Sequence, residues 1–313
     1  MNDPAMLTLL GIVLAALVIG TTVGQVLRRT ATSERAVRVV ANLNARMRSW
    51  WIMSGVFIGA TLLGGVTTVV LFGLTSFLAL REFVTLTPTR RGDHRALFWA
   101  FFVIVPVHYW LIGAQWYGLF AIFIPVYAFV LIPARIALAG EVEQYLTRTS
   151  RIQWGLMVCV YFVSHAPALL MLDIPGFAGR NANLLFFFIL IVQLNDVLQY
   201  VAGNLFGRRR IAPTVSPNKT WEGFIGGVAA TTLVGGALYA TTPFGPLAAG
   251  ALALAIALLG FAGDLTMSAV KRDLGVKDFS ESIPGHGGVL DRLDSLAFAA
   301  PVFFHVTRFC YAA

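Results

Sequence analysis

Apolar residues fall into long runs along this chain, and most charges lie in the short stretches between them. The runs are Met6 to Val26, Trp50 to Leu80, Ala96 to Gly113, Gln115 to Ala137, Gln153 to Leu172, Leu184 to Ala202, Phe224 to Thr241, Leu247 to Ala262 and Ser295 to Tyr311. A helix of roughly 20 apolar residues crosses a bilayer, so the pattern predicts an all-α polytopic integral membrane bundle. Trp50 to Leu80 is too long for one crossing and short for two, and Gly64-Gly65 is the natural place to divide it. The expected count is therefore nine to ten spans.

Composition agrees. The 313 residues are 58% hydrophobic, with a mean hydropathy of +0.77, which excludes an ordinary soluble domain. A net charge of +8 raises the question of nucleic acid, but the basic residues are distributed over loops rather than gathered on one patch, as positive-inside topology requires. Cys159 and Cys310 stand far apart in apolar segments, without metal-ligand spacing, and read as packing residues. The first run starts next to Asp3, ends at Arg28-Arg29 and has no small-residue cleavage site. It reads as a retained helix with its N-terminus outside.

Charge then sets the threading. Arg28 to Arg48 holds six arginines against one glutamate and is expected as a short surface helix on the cytoplasmic side. Arg81 to Arg95, Arg135 to Arg151, Gly203 to Trp221 and Gly263 to Ser295 fall on the same side. The turns near Gly113, at Asp173 to Asn183 and at Thr242 to Pro246 fall outside. Residues 1–182 form an expected N-terminal set of membrane helices, and residues 183–313 a C-terminal catalytic region with cytoplasmic loops 203–223 and 264–294.

Clustered ionisable residues are concentrated in that C-terminal region. If the helix ending near Ala262 continues past the membrane surface, Asp264, Ser268, Lys271 and Arg272 share one face at i, i+4, i+7 and i+8. Ile283-Pro284-Gly285-His286-Gly287-Gly288 must break it, and a new helix near Val289 places Asp291 and Arg292 in its first turn. Carboxylates on both sides of a glycine turn, among lysines and arginines, suit a divalent metal and phosphates. A second constellation begins at Asp196, a carboxylate inside an apolar span and so a functional candidate. It continues to Ser216-Pro217-Asn218-Lys219-Thr220-Trp221-Glu222-Gly223, where Pro217 starts a turn or a helix with Ser216 as its cap, Lys219 can reach phosphate and Glu222 can pair with a cation. His108, His165 and His305 lack patterned partners and read as buried or interfacial.

The run Ser268-x-Val270-Lys271-Arg272-x4-Lys277-Asp278-x-Ser280-x2-Ile283-Pro284-x-His286-Gly287-Gly288-Val289-x-Asp291-Arg292-Leu293-Asp294 resembles, without a gap, the signature of the phosphatidate cytidylyltransferases, or CDP-diacylglycerol synthases. The Ser216 to Gly223 run resembles a second motif of that family. Upstream of it Leu198, Gln199 and Asn204 depart from the usual residues, beside the expected lipid entrance. The resemblance covers about Asn195 to Ser295 and marks the chain as a divergent member. It implies transfer of a cytidylyl group from CTP to phosphatidic acid in phospholipid biosynthesis, giving CDP-diacylglycerol and pyrophosphate. It also implies Mg²⁺, with a second cation such as K⁺, held by Asp264 and Asp291.

The expected catalytic residues are then Asp264, Asp291, Lys271, Arg272 and Lys219. Substrate binding falls to Asp196, Ser216, Ser268, Lys277, His286, Arg292 and the backbone amides of Gly287 and Gly288. Expected partners are CTP, phosphatidic acid or a similar lipid phosphate, and membrane lipid, with a second copy of the chain as a candidate and no nucleic acid. The expected location is the bacterial cytoplasmic (inner) membrane, with the site facing the cytoplasm. A related CTP-using transferase acting on another lipid phosphate stays open. So does a transporter with Asp196 on its permeation path, although such a protein has no need of a cation-rich glycine turn.

Overall fold

The computed structural model describes residues 3–30 and 32–312. Among these residues it contains ten helical rods and one small sheet: α1 (Pro4–Thr30), α2 (Glu34–Leu62), α3 (Gly65–Thr85), α4 (Arg91–Gly113), α5 (Tyr117–Ala137), α6 (Tyr145–Met171), α7 (Asn181–Phe206), β1 (Arg210–Ala212), β2 (Ser216–Thr220), α8 (Trp221–Ala237), α9 (Pro246–Asp273) and α10 (Asp294–Tyr311). Seven of the rods, all but α2, α8 and α10, are both long and apolar enough to cross a membrane. The protein is an all-α integral membrane bundle with one short hairpin.

The long apolar run divides where glycine allows it. Gly64 takes φ +119 between α2 and α3, a conformation closed to most side chains. The polar half of α2 departs from expectation, because the arginine-rich stretch is no separate surface helix. It continues unbroken into the apolar half, since nothing between Ser33 and Leu62 removes a backbone donor or a Cβ in a way that stops a helix. Ser33 caps its start by accepting the Ala36 N–H at 3.2 Å.

α4, α5 and α6 each contain a π-helical stretch, at Ala100–Ile104, Phe123–Ala128 and Leu156–Phe162. Pro106 follows the first and Pro125 lies in the second, consistent with a ladder adjusting around a missing N–H. α6 is the most enclosed of the seven apolar rods, with 67% of its apolar window buried. One continuous core runs from Val69 to Phe304, so residue 182 does not separate two cores. α7, α8 and α9 follow as packed neighbours. A Cβ at Gly227 would stand 2.7 Å from the Gln199 Cα, so α8 crosses α7 this closely only because the residue is small.

The two ends of the bundle differ in chemistry. At one end Asp3 accepts the Asn183 amide at 2.5 Å and lies 3.8 Å from Arg180. At the other end lie the hairpin, the glycine turn and the basic loops, where a buried ion pair joins the first turns of α4 and α6. Arg148 Nη2 donates to Asp93 Oδ1 at 3.0 Å, with side-chain exposures of 3% and 0%. Arg148 also donates to the carbonyls of Glu143 and Glu141.

Candidate active site

A hairpin strand stands where a turn or helix start is expected at Pro217. β1 and β2 pair antiparallel, Arg210 opposite Thr220 and Ala212 opposite Ser216, so Ser216 and Pro217 lie in a strand. The cap of α8 is Thr220, whose hydroxyl accepts the Gly223 N–H at 3.2 Å. A two-stranded ribbon tolerates proline because each strand has a free edge. Glu222 accepts the Arg208 and Arg209 N–H groups at 2.9 and 3.1 Å and folds the arginine stretch back over the first turn of α8. This arrangement delivers Lys219 to α9, where its ammonium bonds the Asp264 carboxylate and sits 4.8 Å from the centre of the Phe261 ring.

Lys219 and Asp264 line a cavity of about 490 Å³ with Asp196, Gln199, Tyr200 and Phe224. The Ser268 hydroxyl donates to the second Asp264 oxygen at 3.2 Å, one helical turn along the same face. Ser295 donates to Asp196 at 3.2 Å. Gln199 is committed to packing as well as lining, because its amide donates to Asn195 Oδ1 at 3.0 Å.

Around the glycine turn a second set of contacts forms. The Lys271 ammonium lies 2.8 Å from Asp291 Oδ1, while Asp291 Oδ2 accepts the Phe279 and Gly288 N–H groups at 2.8 and 2.9 Å. The Gly288 amide is thus turned to a carboxylate rather than held open for phosphate. Gly287 takes φ +80 and Gly285 φ +76, as the tight turn needs. Their loop forms one wall of a cavity of about 570 Å³ lined by Arg46, Lys277, Asp278, His286, Gly287 and Arg292. His286 Nδ1 and Arg292 Nε are buried there without a partner among the described residues. Burial, then the charges of Arg292 and Arg46, push the His286 imidazole down to about 4, so it is neutral near pH 7 and can accept a proton or hydrogen bond.

Of the expected site residues, the structure brings Asp196, Lys219, Asp264 and Ser268 together, and gathers Lys271, Lys277, His286, Gly287, Gly288, Asp291 and Arg292 about the turn. It leaves Ser216 in the hairpin. Arg272 donates to the Val215 and Val276 carbonyls, each at 3.2 Å, where it ties the hairpin to the end of α9. Three residues outside the expected set belong here. Asp294, 8% exposed, faces Asp264 and Asp196 closely enough for their charges to act on it. Arg46 donates to the Gly285 carbonyl at 2.9 Å, and Glu82 binds the far side of the loop. The sequence signals were the i, i+3 repeat of Asp291 and Asp294, the i, i+4, i+7 face of Asn42, Arg46 and Ser49, and an acid isolated at the end of an apolar run.

Asp264 lines its cavity together with Asp196, and carboxylate oxygens suit a hard divalent cation. Asp264 and Asp291 both have their oxygens engaged, Asp264 by the Lys219 and Ser268 side chains and Asp291 by Lys271 and two backbone N–H groups, and Asp291 is the more deeply buried of the two. Among the described residues, no three acidic, histidine or cysteine side chains already stand in a metal-binding arrangement.

A family model described as "Cytidylyltransferase family" matches residues 44–310. The chain belongs to the cytidylyltransferase family. The match begins in α2, so the N-terminal helices that reach the glycine turn are included in the family's region. The chain is similar to a protein of Escherichia coli (strain K12) named "Uncharacterized protein YnbB", 41% identical over 271 residues, which cover 85% of this chain and 87% of that protein. It is also similar to two proteins named phosphatidate cytidylyltransferase. That of Aquifex aeolicus (strain VF5) is 40% identical over 144 residues, covering 46% of this chain and 54% of that protein. That of Mycobacterium leprae (strain TN) is 42% identical over 175 residues, covering 54% and 53%. The matched region is about half the length of these two cytidylyltransferases.

Proposed function

We infer that this cytidylyltransferase joins CTP to phosphatidic acid, releasing pyrophosphate and forming CDP-diacylglycerol. The observation that carries the reading is a pair of cavities lined by charged residues, one between α7, β2, α8 and α9 and one against the α9 to α10 connection, both, Asn42 aside, within the family's matched region. The cavity holding Asp196, Lys219 and Asp264 is walled by Tyr200, Phe224 and Phe261, which suits a phosphate whose acyl chains stay in lipid. The other, with Arg46, Lys277 and Arg292, suits a triphosphate.

In the proposed reaction a phosphatidate oxygen attacks the α-phosphorus of CTP, and the bond to the β-phosphate bridging oxygen breaks. Such a transfer depends on placement and charge neutralisation more than on covalent help. Lys219 orients the lipid phosphate beside Asp264. Lys277 and Arg292 hold the departing phosphates, and the neutral His286 accepts a hydrogen bond from the nucleotide. Mg²⁺, with a second cation such as K⁺, would supply Lewis-acid stabilisation; Asp264 would hold it, with Asp196 or Asp294. Asp264 would do so by releasing Lys219 or Ser268, and Asp291 would join that set by releasing Lys271 or a backbone N–H.

Ten rods support a span count of nine to ten, with α2, α8 and α10 added to the seven apolar helices. The basic end would face the cytoplasm of a bacterial inner membrane. A second copy of the chain is the candidate partner, testable by particle mass in nanodiscs.

The test is purified protein in lipid micelles with labelled CTP, Mg²⁺ and a panel of lipid phosphates. A labelled CDP-lipid formed from phosphatidic acid is the expected product. Label appearing only with another lipid phosphate would reassign the acceptor, and no lipid product with any member would reject the reading.

A further inference from the structure

Glu82 is the sole acid between Trp50 and Thr89, and it lies in the last turn of α3, 7% exposed. An acid there opposes the negative end of the helix dipole, and burial away from water opposes its charge again. Four donors from one distant loop offset both. Glu82 Oε1 accepts the Ser280 hydroxyl at 2.6 Å, the Ser282 hydroxyl at 2.9 Å and the Val289 N–H at 3.0 Å, and Oε2 accepts the Leu290 N–H at 2.9 Å. These donors flank the glycine turn on both sides. A Cβ at Gly288 would come within 2.4 Å of Glu82 Oε2, so glycine at that position makes room for the carboxylate. From the opposite direction α2 holds the tip of the turn, through Arg46 to the Gly285 carbonyl at 2.9 Å and Ser49 to the Pro284 carbonyl at 2.8 Å.

We propose that Glu82 is a positioning residue for the transfer reaction: its carboxylate fixes the glycine turn, and through it the nucleotide-side groups His286 and Arg292. The proposal rests on the cytidylyltransferase reading for its kinetic consequence and on the hydrogen bonds alone for its structural one. Only a carboxylate meets the requirement, because all four neighbours donate. A carboxamide presents N–H to at least one of them, and the turn must move. The lipid-side cavity shares no lining residue with the nucleotide-side cavity, so the nucleotide side is the one expected to feel the displacement directly.

The experiment compares wild type, E82Q and the double variant S280A/S282A in nanodiscs. In E82Q, kcat/KM for CTP is expected to fall about 10–100-fold, as a misplaced group remote from the chemistry can do, with KM for CTP raised and KM for phosphatidic acid unchanged. Hydrogen exchange of a peptide spanning 280–290 is expected to quicken about tenfold, with α9 unchanged. The serine variant leaves the two backbone bonds and moves both readouts in the same direction by less, and it carries the test if E82Q does not fold. Unchanged exchange at 280–290, or a kcat loss matching a lower folded fraction with both KM values unchanged, overturns the proposal. A wild type that makes no CDP-lipid rejects the reaction reading instead, and the exchange measurement then decides the positioning by itself.

Discussion

The Lys271 ammonium lies 2.8 Å from Asp291 Oδ1, with the two side chains 12% and 1% exposed. This nearly buried pair joins α9 to the glycine turn. Lys219 of β2 and Asp264 of α9 form a second pair, but they are 18% and 29% exposed. The first pair has little water to fall back on, whereas the second opens into a cavity. Their removal should therefore have different signatures.

Asp291→Asn should lower both stability and activity. It leaves a buried ammonium uncompensated, which costs about 3–5 kcal/mol, and it weakens the bonds to Phe279 and Gly288. Asp264→Asn should lower activity by about two orders of magnitude or more while shifting the melting temperature little. Thermal unfolding measured beside CDP-lipid formation separates them. An Asp264→Asn enzyme with near-wild-type turnover at saturating Mg²⁺ would falsify the placement of Asp264 at the reacting phosphates.

His286 gives a pH dependence with a definite sign. Its imidazole is pushed down to about 4 in the folded protein, against an ordinary value near 6.5. Between those values the unfolded chain binds the proton and the folded chain does not, so His286 makes the fold lose stability as pH falls from 6.5 toward 4. The melting temperature of His286→Gln should fall less over that window than that of wild type. Parallel curves would show that the site leaves His286 free to protonate.

The sequence revealed the membrane class through run length, and the Lys219, Asp264, Lys271 and Asp291 set through spacing. Its signals for what holds that set, a polar face on α2 and a lone acid after an apolar run, do not say which distant loop they meet. Glu82 and Arg46 lie about 200 residues or more from the turn they grip, and each reads locally as an ordinary loop or surface charge. The hairpin around Ser216 was hidden for another reason. Ser-Pro followed by Thr-x-Glu suits a helix start as well as a strand edge, and the choice depends on Glu222 and Arg272 binding backbone brought in from elsewhere. The α2 segment misled because its arginines mark a membrane boundary without marking a helix end.

Arg148→Met should destabilise without touching the cavities. It strands the Asp93 carboxylate, 0% exposed, with only the Arg90 N–H at 2.9 Å as partner, again costing about 3–5 kcal/mol. For a chain of this size the melting temperature should drop by roughly 10 °C. Adding Asp93→Asn should recover part of the loss, and KM for CTP should match wild type in both. A double variant no more stable than the single one would assign the loss to the Glu141 and Glu143 carbonyl bonds instead.

Orientation in the membrane is the remaining consequence of the segregated ends. Asp3, Arg180 and Asn183 meet at one end, and the basic loops, both lysine–aspartate pairs and the hairpin lie at the other. CTP is made and held in the cytoplasm, and arginine-rich loops resist translocation, so the second end should face inward. In a background with Cys159 and Cys310 changed to serine, Thr214→Cys and Ala178→Cys place single thiols at exposed positions of the hairpin and of the 172–180 loop. An impermeant maleimide applied to intact spheroplasts should label Ala178→Cys and leave Thr214→Cys unmodified until the membrane is opened. Labelling of Thr214→Cys from outside would invert the bundle, and with it the route by which a charged nucleotide reaches Lys277 and Arg292.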